Sequence, residues 1–138
     1  MILKNIKNEK EEKIINLKAI FKTTIGSGLC VRDHDRESNK DVYYVYSDKE
    51  FREKLQVILN NELIKAGFTK EEVNEIKVNP IQCKKVVVKH YRRYIDTTTG
   101  MFEIQADNKI LQHFYNVGIG SRKSAGFGML DLVTQDLL

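Results

Sequence analysis

The chain has 138 residues, of which 41% are hydrophobic and one is proline, so its length and composition fit one compact domain with a core of its own. Its formal net charge of +4 is unevenly distributed, because residues 77–130 hold nine basic and three acidic residues and the remainder sums to −2. No stretch has the length of a membrane span, and the charged N-terminus MILKNIKNEKEEK lacks the apolar segment of a secretory signal. We therefore expect a cytoplasmic protein without a membrane anchor.

The first half of the chain predicts strands followed by a helix. In order, the expected segments are a strand (14–22), a turn (23–28), a short apolar piece (29–31), a polar stretch (32–41) and a strand (42–46). Ser47 and Glu50 have the spacing of a capping box at the head of the helix, and Gly67 ends it. The predicted apolar face of this helix holds Phe51, Leu55, Ile58 and Leu59.

The second half predicts two strands within 75–91 and 94–105, then a helix and a last strand over 127–133. Asp107 can cap this helix and Gly118 can end it. Its predicted apolar face holds Ile110, Leu111, Phe114 and Val117. The order β-α-β-β-α-β, preceded by one or two extra strands, is that of a ferredoxin-like (RRM-like) α+β fold with an antiparallel sheet, here one domain over residues 1–138.

Residues 118–128 (GIGSRKSAGFG), which we call the glycine loop, predict a phosphate-binding surface. Glycine lets backbone N–H groups approach an anion, and the tip adds basic and hydroxyl side chains. It is not a P-loop or a dinucleotide fingerprint, because it leaves a helix and enters a strand. The alternative, a helix C-cap with a tight turn, explains Gly118 but not the other three glycines. The predicted contact residues are Gly118, Gly120, Ser121, Arg122, Lys123, Ser124, Gly126, Phe127 and Gly128.

A basic run precedes the second helix. No carboxylate occurs between Lys77 and Ile95, while Tyr91 and Tyr94 alternate with cationic residues. The basic residues of this run are Lys84, Lys85, Lys89, Arg92 and Arg93. Cations near aromatic rings suit a nucleic-acid surface, and the alternative is a solvated edge strand protected by lysines.

The three histidines differ in their expected roles. His34 lies among carboxylates in RDHDR and is the candidate for catalysis, the alternative being an exposed loop histidine without a task. His90 is expected to touch RNA or to pack, and His113 to be partly buried. No histidine pair has metal-ligand spacing, and Cys30 and Cys83 are isolated. We expect free thiols, no metal and no cofactor.

The run GIGSRKSAGFGMLDLV resembles the C-terminal glycine-rich loop and last strand of the CRISPR-associated protein 6 endoribonucleases, which process CRISPR repeat RNA. Residues 30–45 (CVRDHDRESNKDVYYV) and 79–107 are also similar to that family, and the likeness runs in order from about residue 14 to 133. Those enzymes usually contain two ferredoxin-like modules, of which these segments match the second. The first module, which normally carries the catalytic histidine, is therefore expected to be absent from this chain.

The resemblance implies cleavage without a metal, in which the 2′-hydroxyl attacks the adjacent phosphate and leaves a 2′,3′-cyclic phosphate. It implies an RNA-gripping role here, with Arg122 and Lys123 neutralising phosphates. The track continues along Lys85, Lys89, Arg92 and Arg93. Expected partners are CRISPR repeat RNA, other CRISPR effector subunits, an N-terminal module in trans or a second copy of the chain. A non-catalytic structured-RNA binder and an interaction module that binds no RNA remain alternatives.

Overall fold

The computed structural model describes residues 13–135, so residues 1–12 of the charged N-terminal stretch lie outside the described residues. The strands are β1 (Lys18–Thr23), β2 (Val31–Asp35), β3 (Lys40–Tyr44), β4 (Lys77–His90), β5 (Arg93–Gln105) and β6 (Leu130–Thr134). The helices are α1 (Phe51–Lys65), α2 (Lys70–Asn74) and α3 (Asn108–Val117), with a 3₁₀ turn at Lys123–Ala125. No helix among these residues is long and apolar enough to cross a bilayer.

The main sheet is antiparallel with the strand order β4-β5-β1-β6. Because α1 and α3 connect its strands in the order β-α-β-β-α-β, the predicted ferredoxin-like α+β class is confirmed. The two extra strands, β2 and β3, form a separate hairpin inserted between β1 and α1. The first sheet strand is thus the segment at Lys18–Thr23, while the predicted strand at 42–46 belongs to the inserted hairpin.

One core lies between the main sheet and the helices. Phe21 and Phe102 stand opposite each other on β1 and β5, and both are fully buried. The helix side chains that pack into this core are Phe51, Leu55, Leu59 and Leu63 of α1 and Ile110, Leu111 and Phe114 of α3. Each such side chain contributes about 1.5–3 kcal/mol by leaving water, so burial of these two helix faces stabilises the fold. The prediction that Val117 belongs to the buried face of α3 is wrong, because this residue is 41% exposed at the end of the helix.

Helix capping differs from the prediction at α1. The capping box of Ser47 and Glu50 is wrong, since α1 begins without a side-chain cap and Asp48 instead accepts a hydrogen bond from the Val45 N–H at 2.7 Å. The capping box occurs at α2, where Thr69 and Glu72 satisfy each other's backbone N–H groups. Asp107 caps α3 as predicted, accepting from the Lys109 N–H at 2.8 Å.

A second, smaller core joins the inserted hairpin to the rest of the molecule. It consists of Cys30, Ile95 and Phe127, with Tyr43 and Val88 packed against them. Phe127 belongs to the glycine loop, because β6 begins only at Leu130 and not at residue 127 as predicted. Cys30 and Cys83 are free thiols, and burial raises the pKa of Cys30 to about 11, so this thiol is unreactive at neutral pH. This core holds the hairpin, the glycine loop and the far end of β4 and β5 together.

Candidate nucleic-acid interface

The ends of the glycine loop are built by close contact between backbones. Ile119 donates to the Gly128 carbonyl at 2.9 Å, and Gly128 donates to Gly28 at 3.0 Å. A Cβ on Gly128 would stand 1.9 Å from the Ile119 oxygen, and one on Gly120 would stand 2.6 Å from the Cys30 oxygen. The room left by these two glycines is therefore occupied by the protein's own backbone. Gly120 and Gly128 therefore shape the loop, and their assignment to RNA binding stays a prediction.

The tip of the glycine loop is its accessible part. Ser124 and Gly126 are exposed, whereas Gly118, Gly120, Phe127 and Gly128 are buried. A Cβ on Gly126 would meet no atom within 4 Å, although its φ of +94° still favours glycine. Ser121 points inward, donating its N–H to the Cys30 carbonyl at 2.7 Å and accepting at Oγ from the Arg32 N–H at 3.1 Å. A ligand can thus reach the backbone at 124–126 first.

The two basic residues of the glycine loop already have acidic partners. Arg122 donates from Nε to the Tyr43 hydroxyl at 3.1 Å and lies 3.6 Å from the Asp41 carboxylate. Lys123 forms an ion pair with Glu62 of α1, beside His113 of α3. Burial lowers the pKa of His113, so this imidazole is neutral at pH 7. Lys123 therefore links the loop to the helices, and Arg122 links it to the inserted hairpin.

Asp41 is the centre of a cationic cluster that no single segment could form. Its carboxylate lies 4.0 Å from Arg32, 3.8 Å from Arg93 and 3.6 Å from Arg122, and we call these three residues and Asp41 the arginine cluster. They come from β2, the start of β5 and the glycine loop. The pKa of Asp41 is held below its usual range by the hydrogen bond from His34 and then by the nearby arginines. One carboxylate among three guanidinium groups leaves an excess of two positive charges.

His34 lies at the edge of this cluster. It stands opposite Asp41 in the β2–β3 hairpin, and its Nδ1 is 2.7 Å from Asp41 Oδ1. Because an ionised carboxylate only accepts, Nδ1 carries the proton of this hydrogen bond. The ring is 47% exposed. The structure thus places the candidate histidine on a strand with an orienting carboxylate, and its catalytic role stays a prediction.

The basic run lies along the edge of the sheet. β4 is an edge strand of the described sheet, and Lys84, Lys85 and Lys89 are exposed on it. Lys85 lies 3.6 Å from Asp96 on β5. Lysines that guard an edge and lysines that follow a phosphate backbone fit this placement equally well. The structure brings the far end of this run, at Arg93, to the arginine cluster.

Sequence reasoning missed Arg32, Asp41 and Tyr43. They lie in or beside the predicted polar stretch at 32–41, which forms most of the β2–β3 hairpin. Neither VRDHD nor KDVYY alternates apolar and polar residues, so this local pattern gave no strand signal for the hairpin. Their convergence with Arg93 and Arg122 depends on tertiary packing.

Comparison with known proteins agrees with this fold. The family model described as CRISPR associated protein Cas6, C-terminal, matches residues 7–132, and none of the curated proteins compared matches the chain. A solved structure described as a Cas6-related gene from Pyrococcus furiosus is 22% identical over 91% of this chain and 51% of its own, with a TM-score of 0.75. A structure described as a RAMP protein binding different RNA substrates is also 22% identical, over 90% of this chain and 52% of its own, with a TM-score of 0.75.

A third structure, described as the CRISPR RNA processing endoribonuclease Cas6b, is 24% identical over 87% of this chain and 57% of its own, with a TM-score of 0.54. The chain thus spans about half the length of these solved structures. The family model matches most of this chain, including all three described helices, the inserted hairpin and the whole glycine loop. The chain therefore belongs to the family described as CRISPR associated protein Cas6, C-terminal.

Proposed function

We propose that this chain binds CRISPR repeat RNA and is the RNA-gripping module of a repeat-processing endoribonuclease. The observation that carries the proposal is the arginine cluster, where three segments distant in sequence bring their guanidinium groups to one carboxylate. Family membership supports it, as does the likeness to a structure described as a RAMP protein that binds RNA.

The cluster suits a phosphate for electrostatic and geometric reasons. A guanidinium group presents several N–H donors in a plane, and one distant carboxylate oxygen leaves most of them available. Arg93 is 72% exposed, so its donors are accessible from solvent. An RNA phosphate that approaches the three arginines meets a net positive site next to the loop tip. The lysines of β4 extend the positive surface along the sheet edge.

Cleavage of RNA requires acid and base groups in addition to phosphate binding by these arginines. Attack by a 2′-hydroxyl needs a base for its proton, an acid for the leaving oxygen and positive donors around the phosphorane. The arginines can serve as donors, and His34 is an exposed imidazole that contacts Asp41 at the centre of their cluster. The other histidines of the chain are engaged with aromatic rings, His90 with Tyr91 and Phe127, and His113 with Phe68 and Phe114. We therefore propose that the chain by itself binds repeat RNA and cleaves it slowly.

The test is a mixing experiment with end-labelled repeat RNA in EDTA, read for both binding and cleavage. We expect salt-dependent binding, slow cleavage, and faster cleavage after addition of the N-terminal module of a related enzyme. General acid–base catalysis contributes about 10²- to 10⁴-fold, so the gain should lie in this range. Absence of binding to any structured RNA contradicts the proposal. Rapid cleavage that ends in a cyclic phosphate and is lost in His34→Ala contradicts the proposal that the chain by itself binds RNA and cleaves it only slowly.

One observation favours an interaction module as a second candidate. Arg122 and Lys123 are held by Asp41 and Glu62, so the glycine loop can serve as a clasp between the hairpin and the helices. In that case the loop stabilises the domain for contact with another protein chain. Absence of salt-dependent binding to any structured RNA would favour this second function.

A further inference from the structure

The turn between β4 and β5 has an unusual conformation for its residues. His90 pairs with Arg93, so Tyr91 and Arg92 are the two central residues of the turn, with φ of +48° and +67°. Positive φ at both centres is the pattern of a type I′ turn, which favours Asn-Gly. A tyrosine and an arginine in this conformation are strained. Selection for hairpin stability alone would place other residues here.

The same turn exposes two aromatic rings. Tyr91 is 88% exposed and Tyr94 is 68% exposed. His90 makes an edge contact with Tyr91, with ring centroids 4.4 Å apart and ring planes at 70°, and a second edge contact with Phe127 of the second core at 6.0 Å. These two contacts link the Tyr91 ring to the second core. They leave Tyr91 88% exposed.

Charge at this turn has one sign. Residues 89–94, which we call the hairpin tip, contain Lys89, Arg92 and Arg93 and no carboxylate. Lys89 pairs with Tyr94 across the strands. Arg93 also belongs to the arginine cluster, so the hairpin tip lies next to that cluster.

From this arrangement we infer that the hairpin tip is a stacking platform for unpaired RNA bases, with its cations on the flanking phosphates. The inference rests on the proposed function and specifies its ligand as single-stranded RNA. A ring can stack only on an open base face, and a duplex offers such faces only at its ends. Three positive charges next to the rings match a phosphate backbone and disfavour a basic or uncharged partner.

The test compares dissociation constants for three RNAs: a single-stranded segment of the repeat, the same segment with abasic nucleotides, and a duplex. Stacking on a ring accounts for about tenfold in affinity for each base. Tyr91→Ala with Tyr94→Ala should therefore weaken binding of the single strand at least about tenfold and leave the abasic strand little changed. Tyr91→Phe with Tyr94→Phe should retain the affinity. Tyr46→Ala, at an exposed tyrosine outside the hairpin tip, is the matched control.

The outcomes separate this inference from the proposed function. If the unmodified chain binds no RNA, the proposed function fails and the inference fails with it. If it binds RNA and the double alanine variant binds the single strand equally well, only the inference is overturned. Loss of a protein partner without loss of single-stranded RNA affinity would also overturn it, because tyrosine and arginine are common at protein interfaces.

A second variant tests the strained turn directly. Tyr91→Asn with Arg92→Gly supplies the residues that a type I′ turn prefers, so the melting temperature should rise while affinity for the single strand falls. This variant keeps the inference testable should the alanine variant unfold. A variant that gains stability and keeps its full affinity would show that the tip does not hold RNA.

Discussion

Two glycines of the loop should lose different amounts of stability on the same substitution, because an added Cβ would contact other atoms at only one of them. Gly128→Ala places a Cβ where the Ile119 carbonyl oxygen now stands 1.9 Å away. A backbone oxygen cannot rotate away as a flexible side chain can, so the two ends of the glycine loop must move apart. Gly126→Ala meets no atom within 4 Å. The pair therefore separates backbone packing from the conformational preference that both positions share, since their φ values are +79° and +94°.

The magnitudes follow from the contacts. An alanine at positive φ costs about 1–2 kcal/mol at either position. At Gly128 the separation also weakens the hydrogen bonds to Ile119 and Gly28, each contributing about 1 kcal/mol. We expect losses of about 3–4 kcal/mol for Gly128→Ala and about 1–2 kcal/mol for Gly126→Ala. In a chain of this length each kcal/mol lowers the melting temperature by about 3–4 °C.

Thermal and urea unfolding of the two variants measure this difference, and RNA binding is measured on the folded fraction at low temperature. Gly126→Val is the third variant, because a branched side chain at the exposed tip should hinder close approach of RNA while the fold persists. Equal destabilisation by the two alanine variants would refute the packing argument. Unchanged RNA affinity in Gly126→Val would remove the loop tip from the interface.

Further predictions concern charge and capping. Arg122→Ala should flatten the dependence of log K on log salt by about 0.7 for a single-strand contact, and an unchanged slope in a salt titration would contradict this. Lys123→Ala should lower stability by about 1–3 kcal/mol in urea unfolding, because the part-buried Glu62 loses its cation. Asp41 has a lowered pKa, so its contribution to stability is present above about pH 4 and is lost as the pH falls through its folded-state pKa. The difference in melting temperature between Asp41→Asn and the unmodified chain should therefore shrink in acid, and a difference that persists would point to a cause other than charge. Thr69→Ala should cost about 1 kcal/mol in unfolding experiments through loss of the α2 capping box, and no change would mean that α2 contributes little to stability.

The elements that local pattern determines were predictable from the sequence. The apolar faces of α1 and α3 repeat with the helical period, and Asp107 and Gly118 mark the ends of α3, so these helices follow from neighbouring residues. The order of the elements then selects the ferredoxin-like fold, because few arrangements satisfy short, right-handed connections. The capping box was misplaced because Ser47-Glu50 and Thr69-Glu72 have the same spacing, and spacing does not show which side chain reaches the backbone.

The candidate site depends on contacts between segments far apart in the chain. Arg122 was predicted from its glycine-rich setting, yet its partners Tyr43 and Asp41 lie about 80 residues away and are brought there by the second core. The glycines show the same division. The number of glycines predicted an unusual backbone conformation, because glycine has no side chain and permits conformations that other residues avoid. Only the folded chain shows that Gly120 and Gly128 make room for the protein's own carbonyl groups and that Gly126 alone of these three faces solvent, because close approach is a relation between two segments and not a property of either.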